Sequence, residues 1–333
     1  MPYRPAIKLL ALLPVACMLF SCSTLKPVQL TAVEKYSIAT KGISAIPSDV
    51  YFRVYQLRSQ AQSLQLSGII ATNQSEHESV DALQLDFNDK FKFLDLVDSF
   101  SYAYKIVGNY AGMVHALISP SYLNEFTKNR KQWQTSFDGL VVNYNKACLQ
   151  KVPPSKPIPT SVGKIATTII NEMGSLKIKS LQKKYLKTAI HEARAPFEGI
   201  CDDFLNTDIP KLKRELAGLP TFMNENYKDF LNHEKYYETQ QGNNPYNYYR
   251  FYLPVYANWQ LQLKELNLLV DKLAVCILDL RNGFGILEDY INTENPGVDL
   301  PGELQKLDTD YINLTETIAR FANARERLFK ITY

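Results

Sequence analysis

An unbroken heptad pattern over residues 252–291 constrains the fold more than any other feature. Its apolar residues alternate steps of four and three: Tyr252, Tyr256, Trp259, Leu263, Leu266, Val270, Leu273, Ile277, Leu280, Phe284, Leu287 and Ile291. A seam of this extent corresponds to about 60 Å of α-helix at about 1.5 Å per residue. The segment is therefore predicted to be a long helix that packs against other helices along its whole length.

A second seam follows after a loop at 292–301, which contains Asn295-Pro296-Gly297. Its members are Leu304, Leu307, Tyr311, Leu314, Ile318, Phe321 and Leu328, and Arg325 interrupts the series. Two matched seams joined by a short loop are typical of an antiparallel helical hairpin. We expect the C-terminal part of the chain to form such a coiled-coil-like hairpin.

Helical spacing of apolar residues recurs through the rest of the chain. Helices are predicted at 30–43, 48–72, 80–118, 121–147, 161–205 and 208–237. The chain is expected to break at 46–49, to kink or break at Ala195-Pro196, and to be interrupted at Gly218-Leu219-Pro220. A brief alternating pattern at 51–55 is the only strand-like stretch, and helical residues surround it. The fold class is all-α, and an elongated antiparallel bundle of about six to eight helices is expected.

One proline-rich linker divides this helical chain. Four prolines lie within residues 153–159, and they favour a stiff extended spacer rather than a helix. The linker separates an N-terminal helical part at 30–152 from a C-terminal long-helix bundle at 160–333. We expect the two parts to pack together as one unit.

The head of the chain has the layout of a secretory signal that ends in a lipobox. Arg4 and Lys8 precede an apolar run, and the run ends in Leu19-Phe20-Ser21-Cys22. This segment resembles the signal of bacterial lipoproteins. The apolar run at 9–20 is interrupted by Pro14 and is shorter than the roughly 20 residues that a spanning helix needs.

The resemblance to lipoprotein signals implies how the chain is processed and where in the cell it is located. It implies cleavage before Cys22, acylation of the Cys22 thiol and of the new amino terminus, and attachment of the mature protein to a membrane. Residues 1–21 would be the signal peptide, and 22–29 a polar tether. Ser23 occupies the position where inner-membrane lipoproteins of Gram-negative bacteria carry Asp. The resemblance therefore favours the periplasmic face of the outer membrane in a Gram-negative cell.

Charge and cysteine content exclude some functions. Removal of Arg4 and Lys8 with the signal leaves 35 cations against 34 anions, so no overall charge favours nucleic acid. The remaining cysteines after Cys22 are Cys148, Cys201 and Cys276, each within an apolar helical stretch. We expect buried free thiols, although the spacing leaves one disulfide open.

Motifs for catalysis are absent from the sequence. It contains no H-E-x-x-H, E-x-x-H, C-x-x-C or G-x-S-x-G pattern and no phosphate-binding glycine loop, so neither an enzyme nor a cofactor is expected. One set of metal ligands remains open. His191, Glu198 and Asp202 share a helical face if the helix continues through Pro196, and the alternative is a solvated charged face near a kink.

Two surface patterns are candidates for contact. A basic amphipathic stretch without any acid between Ser175 and Ile190 could face anionic lipid or simply water; its lysines are Lys177, Lys179, Lys183, Lys184 and Lys187. A tyrosine-rich stretch flanks a predicted turn at 240–245 between two long helices. Its tyrosines Tyr246, Tyr248, Tyr249 and Tyr252 could form a contact surface for protein or glycan, or could close the end of the core.

The mostly apolar segment 100–118 leaves a different function open. It contains Gly108 and Gly112 and carries Lys105 as its only charge, which suits a buried helix or one that inserts into a target membrane. The principal hypothesis is a non-enzymatic envelope lipoprotein that serves as a spacer or binding platform for an envelope protein. The alternatives are a membrane-active protein like the α-helical pore formers, and a lipoprotein that binds a metal or small ligand.

Overall fold

The computed structural model describes residues 25–71, 101–119, 128–150, 157–173, 179–240, 245–292 and 300–326. Within these ranges all regular structure is helical and no strand occurs. The all-α prediction is therefore confirmed. The proline-rich linker is described only at 157–159, where it is not helical, and the segments 80–100 and 121–127 of two predicted helices lie outside the described residues.

The described helices are named here in chain order. They are α1 (Pro27–Ser44), α2 (Ile46–Ala71), a helical segment at 101–118, α3 (Arg130–Gln150), α4 (Thr160–Met173), α5 (Lys179–Asp203), α6 (Ile209–Gln240), α7 (Pro245–Asn292) and α8 (Leu300–Glu326). A five-residue π-helical turn at Phe204–Asp208 joins α5 to α6.

Helix α1 begins three residues earlier than the sequence predicts and takes up the end of the predicted tether. Pro27 occupies the first turn, where a missing N–H costs nothing, and the Lys26 backbone N–H donates to Oε1 of Gln29 at 2.9 Å. The predicted break at 46–49 is reduced to one residue, Ala45, in a right-handed helical conformation. Pro47 lies in the first turn of α2, a position that tolerates proline.

The helix ends predicted at two prolines do not occur. Helix α5 continues through Pro196, and α6 continues through Pro220. A proline inside a helix costs about 3 kcal/mol, so tertiary packing must offset it. Buried side chains flank both prolines, among them Phe197 and Leu219.

The predicted gap near 205–208 is also filled by helix. We attribute the π turn there to Pro210, because this residue has no N–H to bond the carbonyl of Asn206 and a widened turn accommodates its ring. As a result α5, the π turn and α6 form one helical rod from Lys179 to Gln240.

Helix α7 is the longest element, with 48 residues, and extends for about 72 Å. Every seam residue from Trp259 to Ile291 is at most 6% exposed, which confirms the seam prediction over that range. A second buried line, which the sequence analysis missed, passes through Gln262, Leu269, Cys276 and Gly283. Helix α7 is thus buried on two faces and forms the centre of the bundle.

The rod α5–α6 runs antiparallel to α7 along most of its length. Four side-chain contacts establish this register: His191 with Glu288, Asp202 with Arg281, Lys213 with Asp271, and Asn224 with Tyr256. The residue number of the α7 partner decreases as the residue number on the rod increases, as in an antiparallel pair.

The hairpin α7–α8 is likewise antiparallel. Lys306 contacts Asp279 at 2.5 Å and Arg320 contacts Glu265 at 3.3 Å, so the pairing keeps one register over four turns. Leu304, Leu307, Leu314 and Phe321 of the second predicted seam are buried. Leu328 lies outside the described residues.

Helix α1 fixes which ends of the bundle coincide. The Gln29 side chain donates from Nε2 to the carbonyl of Tyr290 at 2.9 Å, so the start of α1 lies beside the end of α7. We call this the N-terminal end of the bundle. The opposite end, where α6 ends and α7 begins, is the tyrosine-rich end.

The buried side chains form one cluster that includes both the N-terminal and the C-terminal helices. The helix at 101–118 lies inside it, with Tyr104, Tyr110 and Met113 at most 1% exposed. A Cβ at Gly108 would lie 2.2 Å from Oγ of Ser44, so this glycine permits the close approach of α1.

A similar close approach joins α1 to α7. The Tyr36 hydroxyl donates to the carbonyl of Leu280 at 2.6 Å, and its ring packs edge-on against Phe284. A Cβ at Gly283 would lie 2.9 Å from Cε2 of Tyr36. Gly218 on α6 offers the contrast, since no atom lies within 4 Å of its Cβ position.

This pair of glycines yields a test of the packing. We expect Gly283→Ala to lower the free energy of unfolding by about 1 kcal/mol or more, because the methyl group displaces a buried, hydrogen-bonded ring. We expect Gly218→Ala to raise it by about 0.5–1 kcal/mol through helix propensity alone. Urea unfolding followed by circular dichroism measures both, and equal effects at the two positions would contradict the α1–α7 contact.

Candidate contact surfaces at the two ends of the bundle

The tyrosine-rich end begins with the first two turns of α7. Tyr246, Tyr248, Tyr249 and Tyr252 all lie on this helix, directly after the connection at 241–244. Helix α6 ends at Gln240 and α7 begins at Pro245, and residues 241–244 of the predicted turn lie outside the described residues. The side chains of these four tyrosines lie outside the described part of the structure.

An open groove lies one to two turns further along, between α6 and α7. It has a volume of about 260 Å³, and its lining residues are Asn224, Tyr227, Lys228, Leu231, Asn232 and Tyr256. The Tyr256 hydroxyl donates to Oδ1 of Asn224 and accepts from Nε2 of Gln260 at 2.9 Å. The rings of Tyr227 and Tyr256 lie 5.0 Å apart and complete an aromatic floor.

The α6 side of this groove was not predicted from the sequence. Polar residues lie every four positions on this side of α6, at Asn224, Lys228 and Asn232. This spacing is typical of a solvent-exposed helix face. The groove becomes recognisable only when the partner helix is known, because Tyr256 of the α7 seam faces this stretch of α6.

Buried polar atoms without partners also occur near this end. Asn258 is 8% exposed, and neither atom of its amide has a hydrogen-bond partner among the described residues. Trp259 is 2% exposed, and its indole N–H likewise has no hydrogen-bond partner among the described residues. A buried polar group that lacks a hydrogen-bond partner costs about 1–3 kcal/mol.

The three candidate metal ligands lie on one continuous helix, as the sequence prediction required, since α5 continues through Pro196, and His191 is exposed while Glu198 and Asp202 are partly exposed. The structure pairs each of them with a different cation or carboxylate. His191 Nδ1 lies 2.6 Å from Oε1 of Glu288, and the Arg281 Nε lies 2.6 Å from Oδ1 of Asp202. The Arg194 guanidinium bonds both Glu198 at 2.9 Å and Glu288 at 2.8 Å.

These contacts form a ladder of ion pairs between α5 and α7 rather than a shared ligand set. Within the described ranges, no group of three His, Cys, Asp or Glu side chains is placed to hold a metal ion. Glu288 could not be identified from the sequence, because 97 residues separate it from His191.

Glu288 is the most buried charge of the ladder, with a side chain 9% exposed. Burial by itself would raise the pKa of Glu288, but hydrogen bonds from His191 and Arg194 outweigh it and hold the pKa below its usual value. The same bond to Glu288 raises the pKa of His191 above its usual value. The pair is therefore charged on both sides at mildly acidic pH.

The basic stretch lies at the N-terminal end of the bundle. Lys184 is exposed, and Lys183 and Lys187 are partly exposed, while Leu186 between them is buried. Lys179 is the first residue of α5 but its side chain is not described, and Lys177 lies outside the described residues.

The segment 100–118 is described from residue 101 onward and is packed in the core. None of the described helices combines the length and the hydropathy needed to span a bilayer. Tyr110 donates to the carbonyl of Ala189 at 2.7 Å and packs edge-on against Phe197. These contacts favour the buried-helix interpretation of the glycine-containing segment.

The cysteines do not form a reactive site. Cys148, Cys201 and Cys276 are free and buried, as the sequence analysis expected. Burial raises the pKa of Cys201 to about 12 and that of Cys276 to about 12, so these thiols stay protonated and unreactive. Cys22, the predicted lipidation site, lies outside the described residues.

Comparisons with known proteins found no counterpart. No protein-family model matches the chain, no curated protein matches it, and no solved structure matches it. The functional argument therefore depends on the residues and geometry of this chain.

The His191–Glu288 pair predicts a defined pH dependence of stability. The contribution of His191 is fully present below its unfolded pKa of 6.5 and is lost as the pH rises through the raised folded value. The contribution of Glu288 is present above its unfolded pKa of 4.5 and is lost as the pH falls through the lowered folded value. The pair therefore stabilises most between about pH 4.5 and 6.5.

We expect His191→Gln to lower the melting temperature most in that window and less on either side. His115→Gln is the control, because His115 lies 3.6 Å from Glu34 in a longer contact. Thermal unfolding in a pH series from 3.5 to 9 measures the difference from wild type. A difference that is constant with pH, or a matching profile for His115→Gln, would contradict the assignment.

Proposed function

We propose that this protein is a non-enzymatic lipoprotein of the cell envelope. In this proposal Cys22 anchors the chain to the outer membrane on its periplasmic face, and the helical bundle is a rigid spacer. The tyrosine-rich end then presents a contact surface to an envelope protein. The lipobox Leu19-Phe20-Ser21-Cys22 supports the anchor, and the unbroken helices support the spacer.

The observation that carries the proposal is the position of the two ends. The described chain starts beside the end of α7, at Tyr290, whereas the tyrosines follow directly from the start of α7 at Pro245. The two places are separated by 45 residues of one helix, or about 68 Å. In this proposal an anchor three residues before Leu25 and a contact surface at residues 246–252 belong to opposite ends of α7.

The chemistry of the tyrosine-rich end fits a protein contact. Tyrosine and tryptophan combine apolar area with a hydrogen-bonding group and are enriched where binding energy concentrates. The neighbouring groove adds two exposed amides, those of Asn224 and Asn232, and an aromatic floor.

Fractionation of cells tests the anchor. Wild-type protein is expected in the membrane fraction, and Cys22→Ser is expected in the soluble periplasmic fraction, because acyl chains supply the attachment. Cys148→Ser serves as the matched control and should remain with the membrane. A Cys22→Ser protein that still fractionates with membranes would refute the lipoprotein assignment.

Affinity capture tests the contact surface. We expect the combined change of Tyr246, Tyr248 and Tyr249 to Ala to reduce recovery of envelope partners at least about tenfold, the loss typical of aromatic hot spots. The control combines changes of Val142, Leu149 and Ile312 to Ala, which are exposed apolar residues on other helices. If the two triple variants recover partners equally, the tyrosine-rich end is not the contact surface.

A further inference from the structure

The groove between α6 and α7 contains polar groups that the bundle itself does not use. Lys228 and Asn232 line it and are exposed, and neither side chain makes a hydrogen bond or an ion pair with the described residues. One turn before Lys228, Asn224 is engaged only through Oδ1, which accepts from the Tyr256 hydroxyl. Three side chains along one stripe of α6 therefore remain open to a ligand.

The hydrogen bonds of Tyr256 determine what these side chains offer. Its hydroxyl donates to Oδ1 of Asn224 and accepts from Nε2 of Gln260 at 2.9 Å. An amide that is bonded through its oxygen keeps both of its N–H donors, and a lysine ammonium has three donors and no acceptor. The groove thus offers more donors than acceptors and suits a ligand with many acceptor oxygens.

The charge of the groove favours a carboxylate. Lys228 carries the only charge among the described lining residues, and the neighbouring acids Glu225 and Asp229 on α6 neither line the groove nor pair with it. Phosphate sites in proteins commonly use an arginine fork or the start of a helix. Among the described lining residues there is no arginine, and Lys228 lies in the interior of α6. A single ammonium matches the single charge of a carboxylate.

The apolar part of the groove suits a flat ligand. Tyr227 is 4% exposed and Tyr256 is partly exposed, and their ring centroids lie 5.0 Å apart. Sites for small ligands combine such aromatic surface with a few polar groups that fix the orientation. A sugar ring has this character, because its C–H groups form an apolar face and its hydroxyl groups surround the edge.

The size and surroundings of the groove favour a sugar over a peptide. Its volume is about 260 Å³, just below the roughly 300–1,000 Å³ of pockets that enclose drug-sized ligands. A bound peptide commonly extends a sheet edge or lays an amphipathic helix in a long apolar groove. The described ranges contain no strand, and Leu231 is the only aliphatic residue among the described lining residues. A single sugar ring with its substituents needs neither feature.

We infer that the groove between α6 and α7 is a binding site for an acidic saccharide, a sugar unit that carries a carboxylate. The ring packs on Tyr256, the carboxylate pairs with Lys228, and the hydroxyl groups bond the amides of Asn224 and Asn232. The site lies one turn after Tyr252 along α7. It is independent of the lipid anchor and of the proposed protein contact.

A matched pair of sugars tests the site. The mature polypeptide from residue 22, carrying Cys22→Ser, is titrated with methyl β-D-glucuronide or methyl β-D-glucoside, and the dissociation constants are measured by ligand-observed NMR. These sugars differ by a carboxylate in place of a hydroxymethyl group. We expect the glucuronide to bind about twofold to fivefold more tightly, the range typical of one exposed ion pair.

Substitution of Lys228 tests where this preference originates. We expect Lys228→Gln to bind the two sugars equally, because the exposed cation is lost while the aromatic surface and the amides remain. Lys146→Gln is the matched control, since Lys146 is an exposed lysine on α3 that does not line the groove. This control should retain the full preference for the glucuronide. Circular dichroism of both variants checks that they fold.

Four outcomes would overturn the inference. They are absence of saturable glucuronide binding, equal affinity of the parent for both sugars, a preference that survives in Lys228→Gln, and tighter binding of the peptide acetyl-Gly-Glu-Gly-amide than of the glucuronide. The last outcome would assign the groove to an acidic peptide. All four leave the proposed function untouched, because fractionation of Cys22→Ser and capture with the triple tyrosine variant test it separately.

Discussion

Burial of α7 on two faces is the constraint on which the rest of the structure depends. The rod α5–α6 covers one face over its length, while α8 and α1 cover the other. Each fully buried leucine or isoleucine contributes about 1.5–3 kcal/mol, and α7 buries such residues in every turn from Leu263 to Ile291. This packing explains how α5 and α6 stay helical through Pro196 and Pro220, which local propensity alone would not allow.

Ion pairs determine the register in which α5 and α8 pack on α7, whereas the apolar seams supply most of the packing energy. Glu288 and Asp279 are both buried carboxylates on α7, one facing α5 and one facing α8. A slip of either neighbour by one turn would leave a buried carboxylate without its cation, at a cost of several kcal/mol. The apolar seams favour many similar alignments, and these two residues select one of them. The ion pairs of His191 and Arg194 with Glu288 thus fix the register between α5 and α7.

The sequence predicts the architecture better than the sites, for physical reasons. Repeating seams predicted α7 and α8, and the buried free state of Cys148, Cys201 and Cys276 followed from their apolar surroundings. The second buried line through Leu269 and Cys276 was missed because it contains polar Gln262 and small Gly283, which weaken a hydropathy pattern. The proline breaks were wrong because tertiary packing overrides local preference. The groove at Tyr256 and the ladder at Glu288 depend on residues far apart in sequence.

The contact between α1 and α7 has a consequence for how the molecule folds during synthesis. Gln29 finds its partner 261 residues later, at Tyr290, and Tyr36 finds the Leu280 carbonyl 244 residues later. The part of α1 that packs on α7 therefore stays uncovered until most of α7 has been synthesised, and contacts of such sequence separation form slowly. The nascent chain therefore remains incompletely folded during most of its synthesis.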